Sequence, residues 1–267
     1  MTAAPLREII ARYELGALKS LGQHFLLDLN LTGRIARSAG ELAGVAVIEI
    51  GPGPGGLTRA LLESPAREVI AIERDRRCVA ALAELQESAA GRLRIVEGDA
   101  LAIDAAGLCD APRAIVANLP YNISTALLIG WLAQIEAFES LTLMFQKEVA
   151  DRIAAKPGSK AYGRLSVVSQ WRAEVRPLFN LPARAFTPPP KIDSTVVRFT
   201  PRADPHPAPW AAFERVTAAA FGQRRKMLRA SLRTLGCADQ LLEITSLTPT
   251  ARAEEIDVAG FAALARA

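Results

Sequence analysis

The chain predicts an α/β fold: an open, mostly parallel sheet with helices on both faces, followed by a small all-α domain. Three observations carry this. The run Val45 to Ile50, rich in β-branched residues, ends in Gly51-Pro52-Gly53-Pro54-Gly55-Gly56 and passes into an apolar-periodic segment, Leu57 to Leu62. That order reads as buried strand, tight turn and helix. Further short apolar runs then alternate with helical patterns. Last, the four prolines of 201–209 separate this region from a tail that is helical throughout.

With 267 residues, half of them hydrophobic and 22% charged, the chain can bury one sizeable core and a smaller one. No apolar run reaches membrane-spanning length. Leu6 to Leu15 carries charges where a signal peptide would be apolar. Cys78, Cys109 and Cys237 are far apart and form no CxxC pair. They read as reduced thiols, which points to the cytoplasm, and no metal is expected. A net charge of +4 and a pI near 9.2 permit a polyanionic partner without requiring one.

In order along the chain, 5–15 reads as a short helix opened by Pro5 and followed by Gly16. Lys19 to Asp28 has no clean period and reads as a loop before a helix at 29–39. His24, one of two histidines, has no metal-ligating neighbours in sequence and reads as a polar lining residue. Strands are expected at 67–73, 93–97, 114–117 and 141–146, with helical patterns at 76–90, 123–138 and 147–155. Lys156, Lys160 and Arg164 surround Pro157-Gly158 with positive charge, either as a solvated loop or as phosphate contacts. Leu165–Trp171 and Thr195–Thr200 read as two more strands. Between them Pro188-Pro189-Pro190 holds the chain extended, with Phe186 and Lys191 on either side. Residues 201–209 read as a linker. Within 221–233 a helix would turn Leu228 and Leu232 inward and Arg225, Lys226, Arg229 and Arg233 outward. With Arg224 and no acid in the stretch, this is a candidate face for a polyanion; a merely solvated face is the alternative.

The glycine turn reads as the floor of a nucleotide-type site. Glycine tolerates backbone angles that a Cβ resists, and it lets a ligand approach the main chain. Glu73 ends the second strand about twenty residues further on, where an acid accepts from ribose hydroxyls. Asp75 is near enough to compete for that role. Asp99 follows the third strand and is placed to accept from an adenine amino group, or simply to form a turn. Asn118-Leu119-Pro120-Tyr121 follows the fourth. Asn118 and the Leu119 carbonyl offer acceptors, Pro120 stiffens the turn, and Tyr121 offers a stacking face. Acceptors on the hydrogens of an aromatic amine favour a pyramidal nitrogen with its lone pair free. A hydride-transfer enzyme using NAD gives no reason for this tetrad after strand four. Transfer of a methyl from S-adenosylmethionine does.

Gly22-Gln23-His24-Phe25-Leu26, Glu49 to Thr58, Gly98-Asp99-Ala100 and Asn118 to Ser124 resemble the rRNA adenine N6-dimethyltransferases, and within them the bacterial KsgA type. Residues 157–166, Phe186 to Ser194 and Gln223 to Lys226 extend the likeness over almost the whole chain. The resemblance implies a Rossmann-like class I S-adenosylmethionine-dependent methyltransferase domain at 1–200, its first 30 residues forming a helix and a cofactor-covering loop, and a helical RNA-contacting domain at 201–267. It implies dimethylation at N6 of two adjacent adenosines in the hairpin loop near the 3′ end of 16S rRNA, in an assembling 30S subunit, by a monomer. Carried over by position, His24, Leu26, Gly51, Glu73, Asp99 and Asn118 would contact the cofactor. Asn118, Leu119, Pro120 and Tyr121 would serve the target amine. Tyr121 and Phe186 would hold the flipped base, with Lys191, Arg224, Arg225 and Lys226 as candidate RNA contacts. The family often has Asn where this chain has His24. Two alternatives stay open: a 23S rRNA methyltransferase of the macrolide-resistance type, and an assembly factor for which methylation is secondary.

Overall fold

The computed structural model describes residues 4–18 and 22–267. Lys19, Ser20 and Leu21, the start of the expected loop, lie outside the described residues. The chain divides into two compact units, Met1–Lys147 with Arg176–Thr200, and Glu148–Val175 with Pro201–Ala267.

The described residues form the strands β1 (Phe25–Leu26), β2 (Ala46–Ile50), β3 (Glu68–Glu73), β4 (Leu93–Glu97), β5 (Arg113–Asn118), β6 (Ser140–Gln146), β7 (Ala173–Leu181), β8 (Phe186–Thr187) and β9 (Ser194–Pro201). Seven of them make one sheet in the order β4-β3-β2-β5-β6-β9-β7. The pairings from β4 to β6 are parallel, and β9 joins β6 antiparallel. Parallel strands covered on both faces need continuous apolar runs, and β2 is buried at all five positions. After β2 the chain steps to β3 on one side, and after β4 it crosses to β5 on the other. The tips of β2 and β5 therefore bound a switch point, where α/β sheets leave a crevice.

Helices α1 (Leu6–Arg12), α2 (Leu29–Ser38), α3 (Gly56–Leu62), α4 (Arg76–Ser88) and α5 (Ser124–Ala133) belong to this unit. Asp28 and Asp75 cap α2 and α4, their carboxylates accepting backbone N–H groups at 2.8 and 3.0 Å. Val47, Val69 and Val116 of the sheet pack in one core cluster with Ile35, Leu61 and Leu82 of the helices. Ile9 and Leu15 pack with Cys78 and Ala81 of α4. A separate two-stranded sheet pairs Phe25 with Thr187 and Leu26 with Phe186.

The second unit holds α6 (Lys147–Ile153), α7 (Arg164–Arg172), α8 (Trp210–Gly222), α9 (Leu228–Ser231), α10 (Ala238–Thr245) and α11 (Val258–Arg266). Its core is aromatic. Trp171 stacks on Phe213 at 3.8 Å between centroids and on Trp210 at 5.7 Å. The Tyr162 hydroxyl donates to the Ile256 carbonyl at 3.0 Å.

Four expectations are corrected. Residues 165–171 form helix α7, not a strand. Ser166 accepts from the Gly163 N–H at 3.0 Å at its start, and Leu165, Val168 and Trp171 are all buried. The strand lies next in sequence, at β7, whose Pro177 is exposed on the sheet edge, where a missing N–H costs no ladder bond. The domain boundary at 200/201 omits Glu148–Val175, which groups with the C-terminal helices. The linker 201–209 is docked: Trp171 donates to the His206 carbonyl at 2.7 Å, and Arg202 to the Gln170 carbonyl at 2.8 Å. Residues 221–233 are not one helix either, because α8 ends at Gly222 and α9 begins at Leu228. Leu228 and Leu232 are nonetheless fully buried, as expected. Among the described residues no helix is long and apolar enough to cross a membrane.

Candidate active site

One pocket opens at the switch point, and its wall contains Gly51 and Gly53, Glu73, Asp99 and the whole tetrad Asn118 to Tyr121. His24 and Leu26 line it as well. Gly51 has φ +64°, and a Cβ there would sit 3.6 Å from the Pro120 ring. The tip of β2 and the turn after β5 are thus in van der Waals reach. Gly53 has φ +55°, and a Cβ there would come within 2.9 Å of the Phe25 ring. Close packing and a left-handed backbone together require glycine.

Glu73 and Asp75 are separated by their surroundings. The Glu73 carboxylate accepts from the N–H groups of Arg74 and Asp75, each at 2.8 Å, and of Gly53 at 3.1 Å. Burial raises its pKa, and those three donors offset part of the rise. Asp75 instead caps α4 and pairs with Arg77 at 2.7 Å. Arg77 holds its pKa below the usual range, and Asp75 is absent from the pocket wall. Asp99 accepts from the Leu101 N–H at 3.0 Å and from Arg74 at 3.1 Å.

The turn after β5 is tied to the strap before α2. Asn118 Nδ2 donates to the His24 carbonyl at 3.2 Å. The His24 ring lies 5.5 Å from that of Tyr121, stacked at an angle of 28°, and its Nδ1 is 2.7 Å from the Pro188 carbonyl. The Tyr121 hydroxyl bonds Ser194 at 2.6 Å. Burial raises the Tyr121 pKa, which Ser194 partly counters.

The structure does not bring every expected residue here. Phe186 is 2% exposed, belongs to the core cluster and is not part of the pocket wall. Lys191 is exposed on the loop that follows. Arg224 is committed to Glu254 at 2.8 Å and to the Lys160 carbonyl at 2.7 Å. Arg229 pairs with Asp239 at 2.7 Å, so carboxylates distant in sequence balance two of the cations. Arg225, Lys226 and Arg233 are exposed. Among the pocket residues given no role from the sequence is Glu49, buried on β2. The available signal was a carboxylate inside an otherwise apolar strand.

Known proteins resemble this chain in sequence and in fold. The chain is 68% identical over 264 residues to the ribosomal RNA small subunit methyltransferase A of Paramagnetospirillum magneticum, covering 98% of this chain and 94% of that one. It is 66% identical to the protein of the same name from Rhodospirillum rubrum, covering 98% and 92%. Among solved structures, a dimethyladenosine transferase from Plasmodium falciparum superposes with a TM-score of 0.79 at 25% identity, covering 90% of this chain and 96% of that one. The 23S rRNA methyltransferase ErmE superposes at 0.69 with 27% identity, covering 90% and 97%. The family model described as ribosomal RNA adenine dimethylase matches residues 16–266. With that match over nearly its full length, the chain belongs to the ribosomal RNA adenine dimethylase family.

Proposed function

We propose that this protein uses the switch-point pocket to dimethylate N6 of two adjacent adenosines in the hairpin loop near the 3′ end of 16S rRNA, within an assembling small subunit. Membership of the family makes it an S-adenosylmethionine-dependent rRNA adenine dimethyltransferase of the small-subunit type. The observation that carries the residue assignment is that one pocket joins the glycine turn, Glu73, Asp99 and the Asn118–Tyr121 turn.

The residues fit the cofactor. The cofactor supplies a methyl on a sulfonium, ready for displacement by a nitrogen lone pair. Gly51 and Gly53 leave the main chain open to its amino-acid end, Glu73 keeps an acceptor position on Oε2 for a ribose hydroxyl, and Asp99 offers an acceptor to adenine. His24 and Leu26 close the pocket from the strap. At the target amine, one Asn118 Nδ2 hydrogen is engaged by the His24 carbonyl, which fixes the side-chain amide, and Oδ1 serves as the acceptor. The Pro120 carbonyl accepts from the Ile123 N–H at 3.2 Å, which leaves the Leu119 carbonyl as the backbone acceptor. Two acceptors orient the amine and free its lone pair without an ionised base, and holding both reactants in line supplies much of the acceleration. Tyr121, fixed by Ser194, offers its ring to the flipped base. Phe186 acts one step back, anchoring β8 against β1. Lys191, Arg225 and Lys226 contact the RNA backbone. The protein acts in the cytoplasm as a monomer.

The test is incubation of the protein and labelled cofactor with undermethylated small and large subunits. Dimethyladenosine near the 3′ end of small-subunit rRNA, found by mass spectrometry, supports this reading. Label only on large-subunit RNA overturns it.

A further inference from the structure

Nothing in that mechanism uses the carboxylate of Glu49. Its residue is 1% exposed, yet it lines the pocket. Oε2 is buried without a hydrogen-bond partner among the described residues. Among the described residues, no cation acts on Glu49 in compensation. β3 contributes Glu73, a like charge, and α3 contributes the nearby Thr58 hydroxyl. The pocket residues Thr32 and Ile35 of α2 and Asn118 of β5 are uncharged. Arg74, also in the pocket wall, is engaged with Asp99.

An ionised carboxylate in such a place is costly unless something neutralises it. Two neutralisers exist: a proton, or a cation brought by a ligand. Burial favours the proton and pushes the Glu49 carboxyl up to about 8; the Thr58 hydroxyl offsets part of this and Glu73 adds to it. A positive charge placed within a few ångströms reverses the preference. The cofactor carries two such charges, an α-ammonium and a sulfonium.

We propose that Glu49 is the proton-exchanging counter-charge of this pocket: protonated in the ligand-free protein, it ionises as the cationic cofactor enters, so that binding releases a proton. This rests on the pocket being the cofactor's site. The sign follows from linkage. When binding releases a proton, affinity rises with pH, by up to about tenfold per unit, until the free carboxyl is already ionised. The α-ammonium stays charged well below its own reference value of about 7.7–8.0, so the informative window is about pH 6 to about pH 7.

The experiment is calorimetric titration of the full-length protein with S-adenosylmethionine, in buffers of different ionisation heat, at both ends of that window. The expected result is release of about one proton, with affinity about tenfold higher at the upper pH. Glu49→Gln is expected to bind with no proton release and a flat pH dependence. S-adenosylhomocysteine, which keeps the ammonium and lacks the sulfonium, is titrated in parallel. Release with both ligands supports the proposal with the ammonium as partner; release with S-adenosylmethionine alone supports it with the sulfonium. Binding by the wild type without proton release overturns it, as does release that survives in Glu49→Gln. The wild-type proton count decides even if that variant fails to fold. An absence of any wild-type binding would instead remove the cofactor reading of the pocket.

Discussion

Asn118 donates one of its two amide hydrogens to the His24 carbonyl, which leaves its Oδ1 as an acceptor. Asn118→Ala is therefore expected to cut methyl transfer far more than cofactor affinity; calorimetry beside a single-turnover assay checks this, and equal losses would contradict it. Tyr121 is held by Ser194 and backed by His24. Replacing it with Ala should weaken RNA-substrate binding by about 1–3 kcal/mol, the worth of one base stack, whereas Phe should retain most of it. Glu49 carries a prediction for the ligand-free protein. Its folded pKa is raised to about 8. A raised carboxyl gives stability at low pH that is lost as pH climbs from the unfolded value of about 4.3 through the folded one. Thermal unfolding should accordingly show Glu49→Gln level with wild type near pH 4 and more stable than wild type at pH 8.

At the scale of elements, the turn after β2 and the β1–β8 ribbon decide the pocket's shape. Gly53→Ala adds a Cβ at positive φ against the Phe25 ring. It should cost about 1–2 kcal/mol from the backbone alone, and it should lower cofactor affinity by displacing the strap. Phe186 is core, not pocket wall, so Phe186→Ala should lose about 3–5 kcal/mol of folding stability. Denaturant unfolding distinguishes this from a role in base stacking alone, which would leave stability unchanged. Helix α7 shows why local pattern fails. Leu165-Ser166-Val167-Val168-Ser169-Gln170-Trp171 has a β-branched pair at its centre and is short enough to read as a strand. It becomes a helix because Ser166, which accepts from Gly163 at the first turn, donates to the Arg152 carbonyl of α6, and because Trp171 stacks on Phe213 and Trp210. These last three partners are distant in sequence.

For the molecule as a whole, the proposed cofactor and RNA contacts fall on different units. The first holds the pocket; the second carries Arg225 and Lys226 exposed and Arg224 committed to Glu254. Changing Arg225 and Lys226 to Glu should weaken binding to small subunits and flatten its salt dependence, by about 0.7–0.9 in slope for each phosphate no longer neutralised. Changing Arg224 should instead lower the stability of the second unit, read by its thermal unfolding. The strand–glycine–helix start, the acids at successive strand ends and the tetrad after β5 are all legible in the sequence. Each is a local signal at a spacing that the parallel sheet converts into proximity, because every parallel strand delivers its carboxyl end to the same edge. The sequence by itself thus determined the parallel strands of the sheet and which residue types stand at their carboxyl ends. Only the tertiary structure decided which of Glu73 and Asp75 faces the pocket, that Phe186 is buried, that Glu148–Val175 joins the C-terminal helices, and that Glu49 lies in the wall with Oε2 unpartnered among the described residues. Those outcomes depend on burial and on partners remote along the chain, and neither is encoded in any single stretch of it.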